Sequence, residues 1–506
     1  MKNILKKQKK LLLLLLILLS TLNYWFMIIP YKKANNNSAL GNNNDIPPSL
    51  AVITIALGPF RGLIADALWW HVADLQEKGN YFEIMKISSW ITAMQPENPF
   101  VWTFHAWNMA YNIADEFPTP DSKWEWVFGA IQLLRNDALS YTPNNSIITD
   151  ELSWIILNRI AEGNDKFSKY YRNKWIKEMS KSIETGSEKE LKSIIKYIKN
   201  NPNYLKLKTP EALRIKELTV KQNLNPEKML KIEKQLGPFN WRLPIVSALY
   251  WIYKPDYYQI AAKKGDLNYE TILDVALFLS FLKGEIVSNP KTGLLIRTNN
   301  FEISNNILKY YKSALKIIKM KSPKNNDTKE KVFKHKVCEL FANIIPILKL
   351  FNKNKLTEKY FEEYKRLSNK QNIDLKSFIN KNLKRITYEG PIKCKQSIIE
   401  AYFYNAYRFA LNNQYDELKN SYNEAEKLWK AHQKLYGNKT YALPPIENIK
   451  TAACTKIFKQ LQKKQMINKF CHIISNPKDI LYIKDYQYLT INNINIMDYN
   501  NANKLK

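Results

Sequence analysis

On either side of Lys78-Gly79-Asn80, apolar residues recur at helical spacing. Leu68, Val72 and Leu75 mark one helix; Ile84, Ile87, Trp90, Ile91 and Met94 mark a second, which Pro96 ends. The unit is about 34 residues long. A helix pair of this size cannot bury its own apolar face, so a chain built from such pairs must stack them. Composition agrees. Only 13 of the 506 residues are glycine, while Lys, Leu, Ile and Glu abound, which favours helices over a turn-rich β architecture. Apolar residues make up 45%, as in ordinary globular chains. The expected class is all-α, in about two to four domains or one extended array.

The spacing resembles the tetratricopeptide repeat. In that family a small residue and a tyrosine mark the inter-helix turn, an apolar residue opens the second helix, and a proline closes the unit. Gly79, Tyr81, Ile84, Ile91 and Pro96 match those positions. In the next unit Trp102 falls where the family prefers tryptophan and Ala106 takes the small position. After an insertion around residues 117–121, Ala138 and Pro143 keep the alanine and proline spacings. A third unit opens with Leu152, Ser153 and Ile156. Residues 307–315 resemble a second helix through Tyr311 and Ala314. Residues 402–428 resemble a whole unit, with Ala406, the turn Asn413-Gln414-Tyr415, then Leu418, Tyr422 and Ala425. The match covers about a third to a half of the chain, and other helix-pair repeats obey the same physical logic. It implies a TPR-like α-solenoid of stacked helix pairs. The stretches LGPFRG, ADALWW and NMAYN also resemble uncharacterised membrane-anchored proteins of planctomycete and verrucomicrobial bacteria, which implies no activity. Leu-Gly-Pro-Phe occurs at 57–60 and again at 236–239, each time ahead of a tryptophan-containing helical stretch. The two copies read as the starts of related helical blocks.

Residues 11–29 carry no charge and are almost wholly apolar. A helix of that length spans a hydrocarbon core roughly 30 Å thick. Lys2, Lys6, Lys7, Lys9 and Lys10 precede it, against Lys32 and Lys33 behind. The heavier positive flank stays in the cytoplasm. The expectation is therefore a single-pass protein of the inner, cytoplasmic membrane, contacting it through residues 11–29, with its C-terminal region extracytoplasmic or periplasmic. A cleaved signal peptide is the rival, but the run continues through Tyr24 to Met27 with no small-x-small site. The expected organisation is a basic tip and transmembrane anchor over 1–31, a flexible linker over 32–48, and Trp-rich repeats over 49–185. A middle helical block follows over 186–300, then C-terminal helical repeats over 301–490 and a disordered tail over 491–506.

Nine of the 13 tryptophans lie between Trp69 and Trp175. In tetratricopeptide arrays the first helix of each pair lines the concave groove. The resemblance therefore implies a partner-binding groove of Trp69, Thr103, Trp107, Tyr111, Asp150 and Trp154. Aromatic faces give large contact area at low entropic cost, which suits an extended peptide or a glycan. The competing reading places these rings in inter-helix gaps of the core.

No HExxH, GxSxG, P-loop or GxGxxG pattern appears. The five histidines are dispersed, and His71 and His105 read as packed core residues at equivalent repeat positions. Cys338, Cys394, Cys454 and Cys471 form no metal-ligand pattern, and one or two disulfides stay open. No cofactor and no metal are expected. Asp66, Asp74, Glu77 and Asp115 near the aromatics keep one alternative alive: a carbohydrate-active enzyme or glycan binder with a helical toroid fold. The net charge of +31 is spread along the chain. It reads as Lys-rich compositional drift more than as a nucleic-acid footprint, and Lys319–His335 reads as a solvated loop. The leading expectation is a non-catalytic, membrane-anchored scaffold that binds a protein or peptide partner through a helical-repeat groove.

Overall fold

The computed structural model describes residues 61–162, 167–254, 267–288, 295–321, 327–389, 392–437, 442–461 and 464–475, together with Leu481. The described chain is all-helical apart from one short β-ribbon. It divides into two compact units at Thr149/Asp150, inside the expected 49–185 block.

The first unit contains α1 (Arg61–Glu77), α2 (Tyr81–Met94), α3 (Pro99–Trp107) and α4 (Pro120–Gln132). Two of these helices run on through wider π turns, α3 into Asn108–Ile113 and α4 into Leu133–Ala138. Gly79 makes the α1–α2 turn at φ +67°, a region open to glycine without cost. Ala65, Val72 and Leu75 of α1 meet Ile84, Ile87 and Ile91 of α2, with Val101 of α3 closing the cluster. These are the positions that the helical spacing marks as apolar. Pro99 and the Asn98 side chain, which accepts from the Phe100 N–H, start α3. Thr119 and Pro120 start α4 in the same way.

α5 (Ser146–Ile155) crosses the division and ends in the π turn Ile156–Ala161. The second unit continues with α6 (Ser168–Met179), α7 (Glu188–Asn200), α8 (Pro210–Lys216), α9 (Pro226–Leu236), α10 (Pro244–Ile252) and α11 (Leu267–Lys283). β1 (Glu285–Ser288) and β2 (Leu295–Thr298) then pair antiparallel, Glu285 opposite Thr298. Eight more helices follow among the described residues: α12 (Ser304–Lys321), α13 (Asp327–Leu350), α14 (Asn354–Ser368), α15 (Leu375–Lys384), α16 (Ile392–Leu411), α17 (Tyr415–Tyr436), α18 (Ile446–Phe458) and α19 (Lys464–Ser475). α16 and α17 form the pair expected over 402–428. Asn413 holds the turn at φ 58°, and Ala406, Leu418, Tyr422 and Ala425 are buried.

Two sequence expectations change. The segment Lys319–His335 is largely helical, the end of α12 and the start of α13, with residues 322–326 outside the described set. The second Leu-Gly-Pro-Phe does not open a helix. Leu236 ends α9, and the buried Glu233 carboxylate accepts from the Phe239 N–H and the Trp241 indole, 2.9 Å away. The side chains of Asn300 and Asn306 donate to the carbonyls of Pro238 and Gly237. The tetrapeptide is thus a clasped turn whose groups are satisfied by side chains. No disulfide joins any of the four cysteines.

The expected inner-membrane localisation is also corrected. Among the described residues no helix is long and apolar enough to cross a membrane. The most apolar helix, α10, has 9 residues, or about 14 Å. The longer α13 carries Lys329, Lys331, Lys334, Lys336 and Lys349. The run over 11–29, the linker over 32–48 and the tail over 491–506 lie outside the described residues.

Ile91 is fully buried between α1 and α2, so Ile91→Ala is expected to cost about 2–5 kcal/mol. Asn144, left-handed at φ 59°, tolerates glycine. Asn144→Gly should leave the urea midpoint unchanged or slightly raised, whereas Asn144→Ala should lose about 1 kcal/mol. Equilibrium urea unfolding reads both.

Candidate functional site

The geometry begins with α3. Its Trp102 indole donates to the Pro96 carbonyl at 2.8 Å and stacks on Tyr141, which pins the helix start. The π turn that follows is held by Asn108, buried, whose amide donates to the Tyr81 carbonyl and whose Oδ1 accepts from Asn112. α3 therefore lies fixed against α2, with α4 on its other flank.

The structure brings together only part of the sequence-expected groove. Trp107 and Tyr111 pack ring on ring at 5.5 Å, and Trp107 is 41% exposed. Thr103, one turn earlier, spends its hydroxyl on the Phe100 carbonyl. Trp69 turns inward, edge-on to Phe104 at 4.9 Å, as part of the α1–α2 core. Asp150 and Trp154 belong to the second unit, where the Asp150 carboxylate is bound to Lys254 at 3.0 Å and Trp154 is 40% exposed. The neighbouring Trp70, at 83% exposure, is the exposed tryptophan of α1. It stands about 200° round the helix from the core residue Leu68, so the spacing that marks the core already places it outside.

A recess opens on the other side of α3. His105 lies about 200° round from Thr103 and from Trp107. With Met109 it forms the floor of a cavity of about 560 Å³. Met85 of α2 and Trp126 of α4 line it as well, and Gly129 lets the Met109 methyl come in close: a Cβ there would lie 3.2 Å from it. Ser89, Lys86, Gln132 and Asp137 supply its polar lining. Trp126 stacks on Phe117, which meets Phe82, 52% exposed, so an aromatic string runs outward from the cavity.

His105 is 8% exposed, and its Nδ1 has no hydrogen-bond partner among the described residues. Burial lowers its pKa to about 4, so the imidazole is neutral at physiological pH. His71 differs from the expected core role. It lies at the surface, with Nε2 3.8 Å from Glu83. The carboxylates Asp74 and Asp115 sit in pairs with Lys78 and Lys123, and among the four candidate acids none lines the recess.

The described part of the unit carrying this recess is acidic. Between Arg61 and Thr149 the chain has ten Asp or Glu against five Lys or Arg, although the whole protein carries +31. A count by segment, in place of a count over the chain, shows it in the sequence. A second recess, in the other unit, is lined by Lys334, His335, Cys338, Glu339, Lys370 and Arg385, among others. Burial pushes the Cys338 thiol up to about 11, which leaves it a poor nucleophile. Among the described residues no cluster of His, Cys, Asp and Glu is arranged to hold a metal ion.

No family model matches the chain, and no curated protein matches it.

The His105 imidazole makes stability pH-dependent. Its folded pKa lies below the ordinary 6.5, so on acidification the unfolded chain takes up this proton first. Stability contributed by the neutral form is present above pH 6.5 and is lost toward pH 4, by up to roughly 3 kcal/mol. His105→Gln should flatten that part of the curve, measured by urea unfolding at pH 7.5 and pH 4.5.

Proposed function

We propose that this protein is a non-catalytic scaffold of stacked TPR-like helix pairs whose first unit holds a segment of a protein partner. The segment carries a bulky apolar side chain flanked by lysine or arginine. The recess between α2, α3 and α4 is the observation that carries this reading. Its volume of about 560 Å³ falls within the range of sites that take a side chain or small ligand. Its walls are apolar at Met85, Met109, Trp126 and Leu133 and polar elsewhere, and methionine adapts to irregular shapes at low cost. The neutral His105 offers a single hydrogen-bonding edge without a charge to desolvate.

Charge selects the segment. An acidic stretch, residues 61–149, in a strongly basic chain attracts a basic peptide that the rest of the protein repels. The exposed Phe82 and its string to Trp126 extend the apolar surface beyond the recess. Asp137 is the one carboxylate lining the recess, whereas glycoside hydrolysis by the usual route needs two facing carboxyl groups. Helix pairs joined by left-handed Gly79 and Asn413 support the repeat reading in each unit.

The test is fluorescence anisotropy on the full chain. The probes are labelled peptides with a central leucine or phenylalanine flanked by lysines, and matched peptides flanked by glutamates. The basic peptides should bind at least tenfold more tightly, a difference of about 1.4 kcal/mol. Gly129→Leu, which fills the recess against Met109, should weaken them by a further factor of about ten with an unchanged thermal melt. Equal binding by Gly129→Leu would overturn the site. Binding of neutral oligosaccharides in place of either peptide would overturn the function.

A further inference from the structure

The second unit contains a cluster of charges that does not balance. Glu162 follows the π turn at the end of α5. Its Oε2 accepts from Lys283 Nζ at 2.8 Å and its Oε1 from Arg297 Nη1 at 3.0 Å. Both carboxylate oxygens are therefore taken. Arg172 of α6 faces the same place with a single long hydrogen bond, 3.4 Å from Nη1 to the Ala161 carbonyl. Arg297 Nη1 donates to that carbonyl too, at 3.1 Å, so the two guanidinium groups stand side by side. Glu162, Lys283 and Arg297 side chains are 10%, 12% and 13% exposed.

Three cations thus share one carboxylate, and no second carboxylate pairs with them among the described residues. Burial and the mutual repulsion of like charges lower Lys283 to about 8 and Arg172 to about 9, although Glu162 pulls the other way. An excess of two positive charges held this far from water is costly unless an anion joins them. The donors for one are present. Arg172 Nε and Nη2, Arg297 Nε and Nη2, and the remaining Lys283 protons meet no acceptor among the described residues beyond the bonds just given. Forked guanidinium donors beside an ammonium suit tetrahedral oxyanions.

We propose that Arg172, Lys283 and Arg297 form a binding site for a phosphate-type dianion, either inorganic phosphate or a phosphate monoester. A dianion cancels the surplus charge. Strand alternation directs Arg297 to this cluster, while its neighbour Thr298 donates to the buried Glu400. Glu162 acts as the positioning carboxylate that holds Lys283 and Arg297 in place. The site lies in the second unit and does not rest on the recess of the first.

Isothermal titration of the full chain with inorganic phosphate tests it, together with thermal melts in phosphate against chloride at matched ionic strength. Saturable binding and a melting temperature that climbs with phosphate are expected. Arg172→Gln removes only one long hydrogen bond and so keeps the fold; it should weaken phosphate by about tenfold or more. Glucose 6-phosphate and ribose 5-phosphate, set beside inorganic phosphate, distinguish a monoester site from a free-ion site. If phosphate gives no more stabilisation than chloride, or if Arg172→Gln binds it as wild type does, the assignment is overturned and the cluster is an ionic clamp alone.

Discussion

Ala106, Ala110 and Ala114 along α3 and its continuation, with Ala130 and Ala138 along α4 and its continuation, are all fully buried. Their short side chains let these helices approach α2 and each other closely, and the rest of the first unit depends on that closeness. It brings Ile84, Ile87 and Ile91 within reach of α1 and Val101. It also fixes where packing gives out. Gly129 lets the Met109 methyl pack against α4, and both residues line the recess beside His105.

The second unit handles its polar groups differently. β2 lies between two buried clusters: Arg297 reaches Glu162, and Thr298 reaches Glu400. Lys456 donates to the Asn299 carbonyl at 2.8 Å, and Gln396 donates to the Arg297 carbonyl. Burial raises Glu400 to about 7, offset by Lys456 and Thr298. A two-stranded ribbon has little stability of its own. Here side chains from α16 and α18 satisfy its backbone groups, which is why it persists in an otherwise helical chain.

Asparagine links composition to structure. Asn144, Asn223, Asn352, Asn369 and Asn413 are the non-glycine residues with positive φ among those described. In a chain with 13 glycines, asparagine takes the left-handed turns because its short polar side chain tolerates that region better than other residues. A composition that reads as drift therefore does structural duty at helix ends. Part of the fold was legible for related reasons: helical spacing located α1, α2, α16 and α17, and the Ala138 and Pro143 spacings marked where the helical stretch continuing α4 ends. The candidate site was less legible. Trp107 and Tyr111, one turn apart, pack ring on ring. Spacing could not show that Trp69 packs inward on Phe104, that Asp150 is bound by Lys254, or that the cavity opens behind the expected stripe on α3.

The sequence by itself determined the helices, their turns and their buried faces, because periodicity and local backbone preference act within a few residues. It also determined that residues 61–149 are acidic within a basic chain. Tertiary structure alone decided which side chains meet: Met85, His105, Met109 and Gly129 around one recess, and Glu162, Arg172, Lys283 and Arg297 around one carboxylate. The members of that second group are separated by up to 135 positions along the chain. No local pattern specifies their meeting; it follows from how the helices stack once their apolar faces have been buried.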